Sequence, residues 1–248
     1  MMLPLVGAGF LAGAMNAAAG GGSFVSFPAL VAAGVPPLFA NASSTVALFP
    51  GAVTSSWAYR KELEGIGEVR LPVLLGISVA GGLLGAILLL ATPLGAFDML
   101  VPWLLLLATL AFAFGRQAGA VLRRVVRIGR VTTMATQFLL AIYGGYFGGA
   151  VGIMMMAVWG LLGSRDLRQM NPTKTLLVGA MNGVAVLYFI AARAVVWPQT
   201  LAMLVAAALG GYLGAHAAMR LDPRWLRAGV ITISAVVTLG FFLRLARS

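Results

Sequence analysis

Charge is confined to a few short stretches of this chain, and the runs between them are apolar over the length of a bilayer-spanning helix. Reading those runs between charges and Pro/Gly breaks gives ten segments, at 3–19, 23–33, 41–58, 70–91, 98–115, 131–151, 153–162, 172–192, 198–219 and 225–243. Crossing ~30 Å of hydrocarbon takes about 20 residues of helix, so segments two and seven are too short to cross. Only 9% of the residues are charged and 61% are apolar. A soluble domain uses about a quarter charged residues to cover its surface, so this chain is expected to face lipid and to hold no separate soluble domain. Its start, Met1-Met2-Leu3-Pro4, lacks the basic region of a cleavable signal peptide. The first apolar stretch is therefore expected to remain as a helix.

The basic residues sort the loops into two sets. Loops 59–70, 116–130, 163–174 and 220–227 hold Arg60, Lys61, Arg70, Arg116, Arg123, Arg124, Arg127, Arg130, Arg165, Arg168, Lys174, Arg220, Arg224 and Arg227. The opposite side holds Arg193, Arg244 and Arg247, a split of 14 against 3 among the 17 basic residues. By the positive-inside rule the first set is cytoplasmic and both termini lie outside. Trp57, Tyr59 and Trp225 near the inner boundary and Trp197 near the outer one fit interfacial aromatic belts. The net charge of +11 is thus accounted for by topology, and no nucleic-acid partner is expected.

The chain also repeats itself. Ala80-Gly81-Gly82-Leu83-Leu84-Gly85-Ala86 matches Leu209-Gly210-Gly211-Tyr212-Leu213-Gly214-Ala215 at an offset of 129, and Asn41 matches Asn171 at 130. Gly9-Phe10-Leu11-Ala12-Gly13-Ala14 resembles Gly145-Tyr146-Phe147-Gly148-Gly149-Ala150 at 136. Five segments per half is an odd number, so the second half is expected upside down relative to the first. Loop chemistry agrees: 34–40 is uncharged, whereas 163–170 carries Arg165 and Arg168. The expected architecture is an all-α polytopic membrane protein of two inverted-topology repeats, with short broken helices near the midplane. Repeat one covers 1–116, a basic cytoplasmic linker 117–130, and repeat two 131–248. Inverted repeats mark secondary transporters, although a duplicated bundle can also persist for packing alone.

In such proteins the binding site lies where short, glycine-interrupted segments recur in the two halves. Segment one ends in Ala17-Ala18-Ala19, and Gly20-Gly21-Gly22-Ser23 leads into segment two. Glycines there permit backbone N–H groups in open geometry, and a helix N-terminus adds about half a positive charge. Close packing of helices is the alternative use of such glycines, and it is the preferred one for Gly81, Gly82, Gly85, Gly210, Gly211 and Gly214. Asn41-Ala42-Ser43-Ser44-Thr45 and Asn171-Pro172-Thr173-Lys174-Thr175 read as helix starts with asparagine caps. Lys174 either snorkels to the cytoplasmic interface or serves as the cation beside an anion site. Asn16, Gln137 and Asn182 are read as bonds between helices, with Asn16 next to the first break. His216, one turn before Arg220, reads as a packed or interfacial residue.

All six carboxylates, Glu62, Glu64, Glu68, Asp98, Asp166 and Asp222, fall in loops or at segment ends, and the chain has no cysteine. That removes an intramembrane aspartyl protease, a carboxylate or thiolate metal site and a mid-membrane acidic proton relay. No enzyme activity, metal or cofactor is expected, no residue points to a coupling ion, and the site suits an anion or neutral solute better than a cation.

Taken in order, Gly20-Gly21-Gly22-Ser23, Pro28-Ala29-Leu30, Gly34-Val35-Pro36-Pro37 and Ala40-Asn41-Ala42 resemble the first-half signature of the sulfite exporter TauE/SafE family, also called the toluene-sulfonate uptake permeases. Tyr143-Gly144-Gly145-Tyr146-Phe147-Gly148-Gly149, Asp166-Leu167-Arg168 and Asn171-Pro172-Thr173-Lys174 resemble its second half. The chain departs from the family in having Ala17-Ala18-Ala19 where relatives are often richer in glycine. The resemblance implies a carrier of sulfite, sulfoacetate or other organosulfonates. The site expected is Asn16, Gly20, Gly21, Gly22, Ser23, Asn41, Ser44, Gly148, Gly149, Asn171, Thr173 and Lys174, holding the oxyanion at half-helix N-termini. Its partners would be a small anionic substrate and the lipid bilayer, and the sequence permits a homodimer. An anion channel and a non-transporting membrane subunit of a larger complex are the rival readings.

Overall fold

The computed structural model describes residues 2–58, 60–61, 63–122, 129–160, 167–218 and 223–246. Met1, Tyr59, Glu62, Arg123, Arg124, Arg127, Arg165, Asp166, Arg220, Asp222 and Arg247 lie outside the described residues. So do the side chains of Arg116, Arg168, His216, Arg224, Trp225 and Arg227 and the surroundings of Gly214. Among the described residues the chain forms ten helices: α1 (Met2–Ala19), α2 (Ser23–Ala32), α3 (Pro37–Ala58), α4 (Leu71–Ala91), α5 (Leu94–Leu122), α6 (Arg130–Tyr146), α7 (Val151–Trp159), α8 (Leu167–Ala191), α9 (Trp197–Ala218) and α10 (Pro223–Leu245). A single bridge, Ile66 to Val69, closes the α3–α4 loop.

Among the described residues four stretches are long and apolar enough to cross a membrane: Leu71–Ala91, Leu94–Phe114, Met170–Ala191 and Ala228–Leu245. Helices α2 and α7, of 10 and 9 residues, reach no further than about 15 Å. Large apolar side chains such as Leu107, Leu139, Leu187, Val205 and Leu239 stand exposed around the bundle. An apolar surface of that extent needs lipid to cover it.

Two helices begin earlier than their cap signatures suggest. Helix α3 starts at Pro37 and α8 at Leu167, so Asn41 and Asn171 are each the fifth residue of a helix and cap neither. Proline fits the first position of α3, where no N–H is needed. In α8, Pro172 costs one intrahelical bond, but it is buried, and packing carries the helix through it. Helix α5 likewise starts at Leu94, directly after Pro93, which places Asp98 inside its first turns and leaves Thr92 and Pro93 as the whole α4–α5 connection. It continues to Leu122, so the first residues of the basic linker are helical.

The closest helix pairs are α1 with α9 and α4 with α6, while α3 packs on α8 and α9, α4 on α8, and α5 on α10. Glycines set the first two interfaces. A Cβ on Gly13 would run into the Ala207 carbonyl, and one on Gly210 into that of Phe10. Across the other pair, a Cβ on Gly85 would strike the Ile142 carbonyl and one on Gly145 that of Gly82. Gly81 sits against Ala141, and Gly82 lies with the Met181 carbonyl 2.6 Å from where its Cβ would be, which brings in α8. These glycines allow backbones to meet, as small residues do between membrane helices. Inside, Phe27 stacks on Phe241 at 5.4 Å and meets Phe147 edge-on, while Phe24 meets Phe112. The short helix α2 is thereby gripped by rings from α5, α10 and the α6–α7 connection.

Candidate functional site

The first break follows α1. Gly20 takes φ +77°, a conformation a side chain rarely adopts, and its N–H still donates to the Asn16 carbonyl at 3.0 Å. Helix α2 restarts at Ser23 with Gly22 at its N-cap and no capping side chain. The three glycines differ in surroundings. A Cβ on Gly20 would meet nothing within 4 Å. One on Gly21 would lie 2.9 Å from Val230, and one on Gly22 would lie 2.5 Å from the Ala12 carbonyl oxygen and 2.9 Å from Asn16 Cβ. Open space thus exists at Gly20, while Gly21 and Gly22 let α10 and α1 approach. Ser26 donates to the Gly22 carbonyl or shares a proton with Ser44 Oγ, 2.6 Å away, tying α2 to α3 below the break.

The second break has the same form. After α6 the N–H groups of Phe147 and Gly148 both donate to the Tyr143 carbonyl, at 2.9 and 3.3 Å. Gly148 takes φ +77° and Ala150 φ 59°, and α7 starts at Val151, again without a capping side chain. Gly149 fits under the Phe147 ring, 2.9 Å from where its Cβ would stand. Asn41, from α3, donates its Nδ2 to the Tyr146 carbonyl at 2.9 Å, so a first-half side chain steadies the second-half break.

Helix α8 runs alongside. The stem of Lys174 lies against Gly152 in the first turn of α7, with Cδ at 3.4 Å from its Cβ position. The lysine Nζ donates to Asn171 Oδ1 at 2.7 Å, a neutral partner, and that is its only bond among the described residues. Two turns further along, Asn182 Oδ1 lies 3.9 Å from the Cβ position of Gly148 and is buried without a hydrogen-bond partner.

The expected residues therefore divide. Asn16, Gly20, Gly21, Gly22, Ser23 and Ser44 gather at the first break; Gly148, Gly149, Asn171 and Lys174 gather at the second, joined by Asn41. Thr173 stands apart: its hydroxyl donates to the Glu64 carbonyl at 2.7 Å and lies 3.2 Å from the Glu64 N–H, so it holds the α3–α4 loop. Ser43 does the matching task for the α8–α9 loop by accepting from the Val196 N–H at 3.0 Å. Gln137 bonds Ser78 at 2.9 Å between α6 and α4, as expected of a helix-to-helix contact. Asn182 does not: it forms no such bond among the described residues, and its place beside Gly148 carried no local sequence signal. Ala150, a left-handed residue without glycine's freedom, was equally invisible in the sequence. No group of metal-ligating side chains occurs among the described residues.

The sequence model of the sulfite exporter TauE/SafE family matches residues 5–241. The chain is similar to "Probable membrane transporter protein ORF9" of Sinorhizobium sp, with 28% identity over 94% of this chain and 88% of the relative. It is also similar to "Probable membrane transporter protein" of Haemophilus influenzae, with 27% identity over 93% of this chain and 90% of the relative. "Probable membrane transporter protein YfcA" of Escherichia coli K12 is 24% identical over 92% of this chain and 84% of the relative. No solved structure matches significantly.

Proposed function

Because the chain belongs to the sulfite exporter TauE/SafE family of membrane transporters, we propose that it is a secondary transporter of a small sulfur-containing oxyanion, sulfite, sulfoacetate or another organosulfonate, moved by alternating access. One observation carries this reading: two short helices, α2 and α7, each begin without a capping side chain just after a glycine at φ +77°. Uncapped N-terminal N–H groups and the positive end of the helix dipole favour an anion. Lys174, whose ammonium meets only a neutral amide among the described residues, adds a cation near the second start.

Packing order supports two inverted repeats. Exchanging each helix for the one five places along turns the α1–α9 pair into α6–α4 and the α3–α9 pair into α8–α4, and all of these interfaces exist. Thr109 of α5 and Thr238 of α10, 129 apart like the glycine motifs, bring their hydroxyls within 3.0 Å of each other, as equivalent residues on a two-fold axis would. Thr45 and Thr175, 130 apart, each donate to the carbonyl of the asparagine four residues earlier at 2.9 Å. In this reading the protein is a multi-pass protein of the inner membrane with both termini outside, it needs neither nucleic acid nor cofactor, and a homodimer is compatible with it.

Proteoliposomes holding only this chain test the proposal. Uptake of radiolabelled sulfite is expected to saturate and to accelerate when the vesicles are preloaded with unlabelled sulfite. Saturable flux without that acceleration identifies a channel. No uptake of sulfite, sulfoacetate or methanesulfonate overturns the reading in favour of a non-transporting subunit.

A further inference from the structure

Asn182 is a carboxamide in the middle of an apolar helix, its oxygen buried and without a partner among the described residues beside the α6–α7 break. Leaving such a group unsatisfied is costly in a protein interior, and polar groups inside membrane helices are retained where they bond another helix or a passing solute. Helix packing does not explain this one. The neighbouring break residue, Gly148, presents no side chain, and its N–H is turned back to Tyr143.

Placement on α8 gives the group its neighbours. Lys174, Val178 and Asn182 are spaced by four residues and share a face, with Gly152 against the first two and Gly148 against the third. Lys174 and Asn182 thus stand about 12 Å apart along the axis, on either side of the start of α7. The Lys174 ammonium is turned back to Asn171, away from Asn182, so the carboxamide acts at its own end of this face. The two ends of this face offer different chemistry. An ammonium is a point charge that attracts any anion, halide or oxyanion. A carboxamide has two N–H donors in a fixed plane, and turning it over exchanges oxygen and nitrogen at almost no steric cost. It therefore rewards a ligand that presents several acceptor atoms in a defined shape.

We propose that Asn182 is the specificity-determining residue of the second break: its carboxamide donates to the bound oxyanion and separates sulfite and sulfonates from chloride. This assignment rests on the carrier reading above. The other buried unpartnered groups fit the role less well. The Gln137 amide is already committed to Ser78, and Trp159 closes the far end of α7 among apolar side chains. The Tyr143 hydroxyl belongs to a ring packed on Phe147, and Gln199 lies in the first turn of α9 rather than on the face of α8 beside the break.

Titration calorimetry on the purified full chain, with sodium sulfite, methanesulfonate and chloride as probes, tests this together with thermal unfolding. Asn182→Leu is expected to weaken sulfite and methanesulfonate about tenfold or more and to leave weak chloride competition unchanged. Its unfolding midpoint should equal or exceed the parent's, because an unsatisfied polar group has been exchanged for an apolar one of similar volume. Asn182→Asp should weaken all three anions by adding a like charge. Equal sulfite affinity in the parent and Asn182→Leu overturns this assignment alone, and so does a lowered midpoint in the leucine variant with unchanged discrimination against chloride. A parent that binds none of the oxyanions overturns the carrier reading and this assignment with it.

Discussion

At Lys174 a cation lies half-buried on a membrane helix with a carboxamide as its partner. A charge in a low-dielectric setting interacts several-fold more strongly with a nearby opposite charge than it would in water, and a hydrogen bond from a charged donor is worth about 1.5–3 kcal/mol. Lys174→Met keeps most of the side-chain volume and removes the amine, so sulfite affinity should fall about ten- to a hundredfold in a calorimetric titration. Lys174→Arg should retain part of it, limited by its planar donor geometry. Unchanged affinity in the methionine variant would mean that the lysine only snorkels. Single residues were unevenly legible in the sequence. Lys174 stood out because charge is rare there, and Gly20 and Gly148 because glycine runs interrupt apolar segments. Asn182 was read as a bond between helices, since one polar residue in an apolar run looks the same whether it faces another helix or a ligand. Thr173 was grouped with the site by proximity in sequence, yet its hydroxyl faces the Glu64 backbone, whereas Ser44 meets Ser26 just below the first break.

The elements themselves were legible because hydrophobic length is a strong signal, and all ten segments correspond to helices. The starts of α3, α5 and α8 were not. The Asn-Pro pair at 171–172 has the local form of a cap, but tertiary burial of Pro172 decided the matter and added a turn ahead of it. Interfaces between elements were legible where glycines cluster, because only small residues let two backbones meet. Gly82→Val and Gly210→Val should therefore cut the yield of monodisperse protein several-fold, since the added carbons meet the backbones of Met181 and Phe10, which cannot rotate away. Gly76→Val, on the same helix as Gly82 but with nothing within 4 Å of its Cβ position, should purify like the parent. Size-exclusion profiles of the three variants decide this, and equal profiles would remove the glycines from the packing argument.

Over the whole molecule the halves are interleaved rather than side by side. The proposed inversion makes a definite statement about sidedness: the exposed Glu68 loop before α4 should be cytoplasmic and the exposed Gly95 at the start of α5 should lie outside. In intact cells Gly95→Cys should react with an impermeant thiol reagent and Glu68→Cys should not; the reverse pattern would overturn the assigned orientation. Interleaving was only half legible, because a repeat announces that two halves correspond and says nothing of which helix of one lies on which helix of the other. The α1–α9 pairing also sets a clock. Roughly 40 residues separate α4 from α6, so at about 5–20 residues per second α4 has its partner within roughly 2–8 s of leaving the ribosome. Roughly 180 residues separate α1 from α9, a wait of roughly 10–40 s during which α1 lies in the bilayer with its small-residue face uncovered. For that interval the face fits the α9 of any neighbouring chain as well as its own, so crowded synthesis favours exchanged pairs at the most extensive interface of the bundle.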